Sequence, residues 1–409
     1  MLRLIIKGGR KLKGEWRLSG NKNEALALIA ASLLFEDGLV LKNVPRIKDV
    51  EVMTQIADFL KKQKKSKNPI LPAELSSKIR GSLLFMGPLL ALTGKAIIPR
   101  SGGDKIGLRK IDTHLEIFKA FGAITSNNKI ILPARKLQNG REVKIWLSEP
   151  SVTATENALM LSALRPAKTT IRNAASEPHV VGLGSALKKG GAKIKGLGTN
   201  FLEIRGVKNL KKVSHELKED FMELGSILVL SAIFGGKIKI KTGNTKEYEK
   251  IFEAFEKFGE KVVQKNGFLK VARDASNDFK KEIQEISDGP WPNFPSDLIS
   301  PMIVLATQCR GQYLFHEKMF ESRLYFIDQL KNMGAKAILC DPHRVLVSGP
   351  SLLHSSHMAS PDIRAGMALV IAALAAKGTS IIDNAEQIDR GYENLVEKLK
   401  NLGADIKRE

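Results

Sequence analysis

The feature that most constrains the fold is a motif that recurs along the 409-residue chain. Each copy joins the end of an amphipathic helix to a glycine and then to an apolar strand, and the copies read FKAFGAIT, LKKGGAKI, FEKFGEKV, LKNMGAKA and LKNLGADI. The successive central glycines are 69, 68, 75 and 69 residues apart, and they are Gly122, Gly191, Gly259, Gly334 and Gly403. An eroded first copy, FLKKQKKS, occupies 59–66. The sequence therefore predicts six repeats of about 70 residues.

Each repeat carries the same set of elements. The glycine suits a left-handed helix end, because it has no Cβ to clash, and a strand can follow at once. Before each of these helices we expect a strand, as in 169–175 and 379–389. Earlier in each repeat lies a helix that is apolar on nearly every face, as in 82–92 and 365–376, and such a helix must be buried. The pattern predicts an α/β protein in which sheets surround buried helices.

The duplication also predicts two domains of three repeats each. We expect 22–218 to form the first domain and to carry a mobile loop around Asp104. The second domain then comprises 219–409 together with 1–21, because the first strand, LRLIIKGG, has no repeat of its own and is expected to pair with the last strands. Ligands are usually held in the cleft between two such lobes, and the active site is expected there.

Composition excludes several classes of protein. The net charge of +22 lies in lysine-rich runs such as 7–13 and 61–67, without nucleic-acid-binding signatures, so we interpret it as solvated lysine and expect no nucleic acid partner. The apolar runs are shorter than the roughly 20 residues that span a bilayer, and no secretory signal is present, so a cytoplasmic protein without a membrane partner is expected. Cys309 and Cys340 lack ligand spacing and are expected to be buried thiols.

Polar clusters interrupt this apolar pattern. Lys22 and Asn23 stand at the start of an apolar helix, where anions bind, although Asn21 or Asn23 could instead be a plain N-cap and Lys22 a solvated charge. The loop SGGDKIGLRKIDTH has no Walker spacing, and its glycines suggest a mobile segment in which Asp104 is a proton donor or acceptor beside the anion clamp Arg109. A surface turn with a salt bridge is the alternative.

Three further residues suggest catalysis or anion binding. Asp297 precedes an apolar helix and is either its N-cap or a general base. Arg364 and Arg390 lie close to loop glycines, and arginine offers a planar fork to carboxylate or phosphate. The spacing of HSSH at 354–357 could suit a metal, but no third ligand is nearby, so no metal is predicted.

Taken together, these segments resemble the enolpyruvyl transferases, and most closely the branch that acts on UDP-N-acetylglucosamine. The matching pieces follow one another in family order over almost the whole chain: SGNKNEAL, IRGSLLFMGPLLA, GGDKIGLRKIDTHLE, PSVTATEN, NAASEPHV, GAKIKGLGT, FPSDL, MFESR, DIR and IDRGYE. The resemblance implies two inside-out α/β barrels, with helices inside and sheets outside. It also implies a monomeric enzyme without a cofactor or metal.

The activity implied by the resemblance is transfer of the enolpyruvyl group of phosphoenolpyruvate to the 3-hydroxyl of UDP-N-acetylglucosamine, with release of phosphate. This is the first committed step of peptidoglycan synthesis, and so of cell-wall biogenesis, cell shape and division. One alternative is a different acceptor of the shikimate 3-phosphate type, although the GSKS and NAGT segments of that branch are missing. The other alternative is a non-catalytic nucleotide-binding paralogue. The retention of all the polar clusters argues against this alternative.

The resemblance also implies roles for individual residues. Asp104 would protonate C3 of phosphoenolpyruvate where most members carry a cysteine, which implies insensitivity to fosfomycin, the epoxide that alkylates that cysteine. Asp297 would accept or position the proton of the attacking hydroxyl. Contacts to phosphoenolpyruvate fall on Lys22, Asn23, Arg109, Arg364 and Arg390, of which Lys22, Asn23 and Arg390 are also counted as catalytic. Contacts to UDP-N-acetylglucosamine fall on Arg80, Arg109, Lys110, Ile111, Asp112, Thr113, Ser151, Val152, Asp297 and the backbone of Met319.

Four positions depart from the family pattern. Glu149 stands where many members have lysine or an apolar residue, Thr153 where glycine is usual, Phe221 where arginine is common, and Ser322 where asparagine is usual. These departures leave the catalytic set intact. We expect them to bear on nucleotide affinity.

Overall fold

The computed structural model describes residues 2–63, 70–99, 101–104, 106–126, 129–133, 140–243, 245–273 and 282–409. The chain divides into two compact units. The N-terminal unit comprises Gly20–Gly103 and Arg109–Lys218, and the C-terminal unit comprises Met1–Ser19, Asp104–Leu108 and Glu219–Glu409. The short stretch around Asp104 therefore groups with the C-terminal unit, whereas the sequence analysis assigned it to the other domain.

The described helices and strands follow the chain in this order. The α-helices are α1 Lys22–Ala31, α2 Lys48–Lys62, α3 Ala73–Ser76, α4 Met86–Thr93, α5 Asp112–Ala120, α6 Val152–Ala163, α7 Pro178–Lys189, α8 Phe221–Ile233, α9 Glu249–Glu256, α10 Ile299–Ala306, α11 Ile327–Asn332, α12 Ile363–Ala375 and α13 Leu395–Asn401. The strands are β1 Leu4–Lys7, β2 Gly14–Arg17, β3 Leu39–Lys42, β4 Lys95–Ile97, β5 Ile124–Ser126, β6 Lys129–Ile131, β7 Val143–Trp146, β8 Lys168–Arg172, β9 Lys193–Lys195, β10 Phe201–Arg205, β11 Val213–Glu216, β12 Ile238–Lys241, β13 Glu260–Lys265, β14 Phe268–Arg273, β15 Gln284–Ser287, β16 Gly311–His316, β17 Lys336–Asp341, β18 Arg344–Gly349, β19 His357–Ala359, β20 Thr379–Asp383 and β21 Asp405–Arg408. Short 3-10 turns occupy Ser32–Leu34, Arg80–Phe85, Lys246–Tyr248, Ser296–Leu298, Arg323–Phe326 and Ala385–Arg390.

The N-terminal unit surrounds three buried helical segments with three sheets. Its sheets have the strand orders β7-β8-β10-β9, β4-β6-β5 and β11-β3. The helices α1 and α6, together with α4 and the 3-10 turn before it, fill the core, and Leu28, Phe85 and Leu159 have no exposed surface. These apolar helices pack against one another because no face of them is polar enough to meet water.

The C-terminal unit repeats this plan. Its sheets have the orders β19-β20-β1-β21, β13-β14-β12-β2 and β15-β16-β18-β17, and α8, α10 and α12 pack against each other inside. Strand β1 is antiparallel to both β20 and β21, with Leu4 opposite Ile382 and Arg408, as the sequence analysis expected. The prediction of an α/β fold with buried helices is confirmed. Within the described residues, the strands of each unit form three separate sheets and no closed barrel.

The repeated glycines end their helices as predicted. All five have positive φ, from 71° at Gly259 to 118° at Gly191. At Gly334 the backbone N–H groups of Gly334 and Ala335 donate to the carbonyls of Lys331 and Leu330, at 2.8 and 3.0 Å, and β17 starts two residues later. These bonds satisfy helix carbonyls that would otherwise lack partners. Residues 64–66 of the eroded first copy lie outside the described residues.

Two expectations from the sequence were wrong. The strand predicted over 379–389 ends at Asp383, because Asn384 has a φ of 55° and turns the chain into a 3-10 turn. Cys340 is exposed rather than buried, since β17 is an edge strand of its sheet. Cys309 is partly buried, and burial raises the pKa of its thiol to about 12. In the described parts of the chain, no helix is both long and apolar enough to cross a bilayer.

Candidate active site

Asp297 lies between two arginines of the C-terminal unit. It sits inside the 3-10 turn Ser296–Leu298 that leads into α10, and it is not the N-cap that the sequence left open. Arg323 Nη2 donates to Asp297 Oδ1 at 2.9 Å, and Arg364 Nε donates to Oδ2 at 2.8 Å. Because each carboxylate oxygen faces its own guanidinium, the side chain is held in one orientation.

The two arginines that hold Asp297 are almost fully buried. Arg364 in the first turn of α12 is 5% exposed, and Arg323 is 3% exposed. Burial opposes the charge of both, but nearby acidic groups, with Asp297 first among them, outweigh it and raise the pKa of each guanidinium. Both are therefore fixed positive charges. Sequence reasoning named Arg364 and missed Arg323, although the quoted segment MFESR contains it.

Asp362 fixes the backbone that carries Arg364, and it was also missed. Its Oδ1 accepts from the amides of Arg364 and Ala365, at 2.7 and 3.0 Å, and so caps α12. Burial raises the pKa of Asp362, and the nearby Asp104 adds to this while Arg323 opposes it. The sequence signal was an aspartate at the start of an apolar helix, which is a common N-cap.

Asp104 and Arg390 are brought together. Arg390 Nη1 donates to Asp104 Oδ1 at 2.6 Å and to Gln387 Oε1 at 2.9 Å. The side chains of Asp104 and Arg390 are 19% and 15% exposed. The residue predicted to be the acid is therefore the ion-pair partner of a residue predicted to clamp the substrate.

The backbone next to Asp104 is held by the segment that follows β16. Ser322 N donates to Ile106 O at 3.1 Å, and Leu108 N donates to Glu321 Oε1 at 2.8 Å. The hydrogen bond from the Leu108 amide is the main cause of the lowered pKa of Glu321. Gly107 has a φ of 133°, and a Cβ there would lie 2.3 Å from Glu321 Oε2. Ser322 donates to Ile106 O through its backbone N–H. The serine in place of the usual asparagine therefore leaves this hydrogen bond unchanged.

Met319 lies in the same segment. Its side chain is 43% exposed, and its amide donates to Glu317 Oε1 at 3.2 Å. Because the Met319 amide already has this acceptor, the predicted backbone contact to the sugar nucleotide would come from the Met319 carbonyl.

In the N-terminal unit, Lys22 is the first residue of α1 and is buried. Asn21 is the N-cap, with its Oδ1 accepting from Glu24 N at 2.9 Å. Lys22 Nζ lies 2.7 Å from Asp49 Oδ2, and both side chains are less than 10% exposed. The alternative of a solvated Lys22 is therefore wrong. Asn23 follows on α1 and is half-buried.

Arg80 and Arg109 place two like charges near each other. Arg80 Nη2 donates to Lys110 O at 2.9 Å, which ties it to the segment that leads through Ile111 to Asp112, the start of α5. Burial, and then the charge of Arg109, lower the pKa of Arg80 to about 10. A bound anion would relieve this repulsion, so this part of the unit is suited to phosphate groups.

A buried histidine joins this segment to α6. His114 Nε2 lies 2.9 Å from Thr153 Oγ1, and His114 and its neighbour Thr113 are 1% and 3% exposed. Burial and the charge of Arg80 lower the pKa of His114 to about 4, so the ring is neutral at pH 7. Thr153 therefore has a partner. The contact connects the predicted nucleotide segment 109–113 to the helix start that carries Ser151 and Val152.

The remaining departures lie apart from these contacts. Phe221 begins α8, is 1% exposed, and stacks on Tyr248 and packs against Trp291, with ring centres 5.7 and 5.4 Å away. An arginine position of the family is thus part of an aromatic core here. Glu149 is exposed, and its carbonyl accepts from Ser151 N at 2.8 Å.

Of the two histidines in the HSSH segment, His357 contacts an acidic side chain, with its Nε2 2.7 Å from Asp383 Oδ2. Across the described ranges, no three His, Cys, Asp or Glu side chains come together as a possible metal site.

Comparison with known proteins gives consistent findings. Residues 6–399 match the family model described as EPSP synthase (3-phosphoshikimate 1-carboxyvinyltransferase). The UDP-N-acetylglucosamine 1-carboxyvinyltransferase of Treponema denticola is 47% identical over 98% of each chain. Enzymes of the same name from Treponema pallidum and Bradyrhizobium diazoefficiens are 44% and 42% identical, over 99% of both chains in the first case and 100% of this chain and 98% of the relative in the second.

Solved structures share the fold at lower identity. The enolpyruvyl transferase NikO from Streptomyces tendae has a TM-score of 0.83 and 22% identity, covering 100% of this chain and 98% of its own. The EPSP synthase from Acinetobacter baumannii has a TM-score of 0.72 and 15% identity, covering all of both chains. At these identities the likeness shows the fold alone.

The buried His114 should make stability fall in acid. Its pKa is lower in the folded than in the unfolded chain, so the unfolded chain takes up the proton first as the pH drops from about 6.5 to about 4. We expect up to about 3 kcal/mol of unfolding free energy to be lost across that window. Denaturant unfolding at several pH values measures it. His114→Gln should remove this part of the pH dependence, and substitution of the exposed His354 by Gln should not.

The Glu321 carboxylate should protect the amide of Leu108. Glu321→Ala removes the acceptor and should speed hydrogen exchange at 106–112 by at least about tenfold, because the amide then has no bond to break before exchange. Hydrogen-exchange mass spectrometry measures this. Glu321→Gln keeps an acceptor oxygen and is the matched control. Equal exchange in the alanine and glutamine variants would contradict the assignment.

Proposed function

This chain belongs to the enolpyruvyl transferase family, and we propose that it transfers the enolpyruvyl group of phosphoenolpyruvate to the 3-hydroxyl of UDP-N-acetylglucosamine, with release of phosphate. The observation that carries the proposal is the sequence identity of 42–47%, over nearly the full length of this chain, to enzymes named for that reaction. The product is the first committed precursor of peptidoglycan, so the enzyme supplies cell-wall biogenesis and thereby cell shape and division.

Phosphoenolpyruvate is a small, highly charged anion, and the proposed contacts to it are cations. Arg364 and Arg390 in the C-terminal unit, and Lys22 and Arg109 in the N-terminal unit, are proposed to bind its phosphate and carboxylate, with Asn23 holding the intermediate. Lys22 is already fixed by the buried carboxylate of Asp49, and the buried Arg364 by the partly exposed carboxylate of Asp297. Cations fixed in this way stabilise charge that develops in the transition state without reorganising.

Asp104 is proposed to protonate C3 of phosphoenolpyruvate. Its carboxylate pairs with Arg390, which is also proposed to bind the substrate. When an anionic substrate group takes over the guanidinium, Asp104 loses that counter-charge, and a carboxyl group without a counter-cation takes up a proton more readily. Substrate binding would thus prepare the acid for the step it performs.

Asp297 is proposed to orient the attacking 3-hydroxyl and to take its proton as the new C–O bond forms. The two arginines make it a weak base but a well-oriented one, so its contribution is mainly positioning. UDP-N-acetylglucosamine is proposed to contact Asp297 and the following groups: Arg80, Arg109, Lys110, Ile111, Asp112, Thr113, Ser151, Val152 and the Met319 backbone. The repulsion between Arg80 and Arg109 supports a diphosphate at that end.

Both substrates are small and dissolve in water, so the reaction needs no second chain. We therefore propose a cytoplasmic monomer with no membrane or nucleic acid partner. The second candidate acceptor is shikimate 3-phosphate, which the description of the matched family model favours. A non-catalytic paralogue would have no reason to keep the paired sets Asp104–Arg390 and Asp297–Arg364.

The activity is tested by phosphate release from phosphoenolpyruvate. With purified protein we expect release with UDP-N-acetylglucosamine and none with shikimate 3-phosphate. Asp104→Ala should lower turnover at least about 1000-fold, because it removes the proton donor. Release only with shikimate 3-phosphate would establish the second candidate, and release with neither acceptor would favour the paralogue.

The protein should resist fosfomycin, because a carboxylate at residue 104 is not the thiol that the epoxide alkylates. We expect no time-dependent loss of activity after preincubation with fosfomycin. Asp104→Cys is the matched variant and should become sensitive. Time-dependent inactivation of the unchanged protein would contradict the role given to Asp104.

A further inference from the structure

Glu317 is a buried acid for which neither the sequence analysis nor the proposed mechanism has a role. It follows β16 and has no exposed surface. Ser296 Oγ donates to its carboxylate at 2.8 Å, and the amides of Met319 and Phe320 donate to Oε1 at 3.2 and 3.1 Å. Arg323 Nε lies 3.4 Å from Oε2. Such a set of donors holds the carboxyl group and the segment after β16 in one arrangement.

A second acid, Asp288, lies against Glu317. Its Oδ1 accepts from Lys318 N at 2.5 Å, and its Oδ2 is buried without a hydrogen-bond donor. Burial raises the pKa of Glu317 to about 8, Asp288 adds to this, and Arg323 opposes it. Two buried carboxyl groups side by side do not both ionise readily, so Glu317 keeps its proton to a higher pH than an ordinary carboxyl group does. His343 also contacts this residue, since its Nδ1 lies 2.6 Å from Glu317 O.

Glu317 contacts both supports of Asp297. Ser296 is the residue directly before Asp297 in the 3-10 turn, and Arg323 donates to Asp297 Oδ1. Glu317 and Asp297 therefore share one guanidinium. The charge on Glu317 decides how strongly Arg323 is drawn away from Asp297, because a cation between two carboxylates divides its attraction between them.

We propose that Glu317 is a positioning residue for the transferase reaction, which acts through Arg323 and Ser296 to orient Asp297. With the proton in place, Glu317 is neutral and Arg323 stays on Asp297. Loss of the proton in alkaline solution gives Glu317 a full charge, and Arg323 is drawn toward it. The Met319 amide, which donates to the same carboxyl group, links this acid pair to the proposed nucleotide contact. This inference rests on the proposed function.

The test is the pH dependence of kcat in three variants. In the unchanged enzyme, kcat should fall as the pH rises through about 8. Glu317→Gln cannot ionise and matches the neutral form, so its kcat at pH 7 should stay within about twofold of the unchanged enzyme and should show no such fall at higher pH. Asp288→Asn removes the acidic neighbour, so the fall should move to lower pH. Substitution of the exposed Glu285 by Gln on β15 is the control and should match the unchanged enzyme.

A second readout does not depend on turnover. The Nε–H resonance of Arg323, in protein labelled with 15N-arginine, should titrate with the same midpoint as kcat, lose that titration in Glu317→Gln, and move with it in Asp288→Asn. Absence of turnover in the unchanged enzyme would reject the proposed function, while this resonance would still report on the acid pair. An Arg323 resonance and a kcat profile that are the same in all variants would overturn the inference.

Discussion

The buried pairing of arginine with carboxylate is the interaction on which the C-terminal part of the candidate site depends. Arg323 and Arg364 are both nearly out of contact with water, and charges in that position are tolerated only when they are paired and hydrogen-bonded. Asp297 supplies an oxygen to each, and Asp362 fixes the backbone of Arg364. Removal of Asp297 would take from the buried guanidinium of Arg364 the carboxylate that it donates to. The geometry is therefore set before a substrate binds, as electrostatic catalysis requires.

The cations of the N-terminal unit are arranged differently. Lys22 is neutralised by Asp49, whereas Arg80 and Arg109 remain near each other as like charges. His114 remains neutral and serves as a hydrogen-bonding group between two segments. Lys22 thus lies against a carboxylate, whereas Arg80 is acted on by the charge of Arg109, near where the sugar-nucleotide diphosphate is proposed to bind. The proposed diphosphate contact depends on the specific placement of these cations rather than on the net charge of the whole protein.

Local patterns explain what the sequence predicted correctly. A glycine after an amphipathic helix indicates a helix end, and a helix without a polar face must be buried, whatever the rest of the fold. The repeats, the caps at Gly122 to Gly403 and the buried helices could therefore be predicted from the sequence. Arg323 and Glu317 were missed because their importance comes from partners 20 to 30 residues away in sequence, brought close only by packing. The error at Cys340 has a similar origin, since the sequence does not reveal which strand forms a sheet edge.

The pairing of β1 with β20 and β21 has a consequence for how the protein is made. The backbone groups of Arg3 and Glu409 bond to each other, at 2.8 and 3.1 Å, so β1 joins a sheet in which its neighbour β21 comes much later in the sequence. During synthesis β1 therefore gains its second neighbour only after residues 405–408 have left the ribosome. The two segments of the N-terminal unit, Gly20–Gly103 and Arg109–Lys218, are both made before β21, so this unit can fold while translation continues. An unfinished chain would thus expose an unpaired β1, the kind of apolar strand that chaperones and proteases recognise.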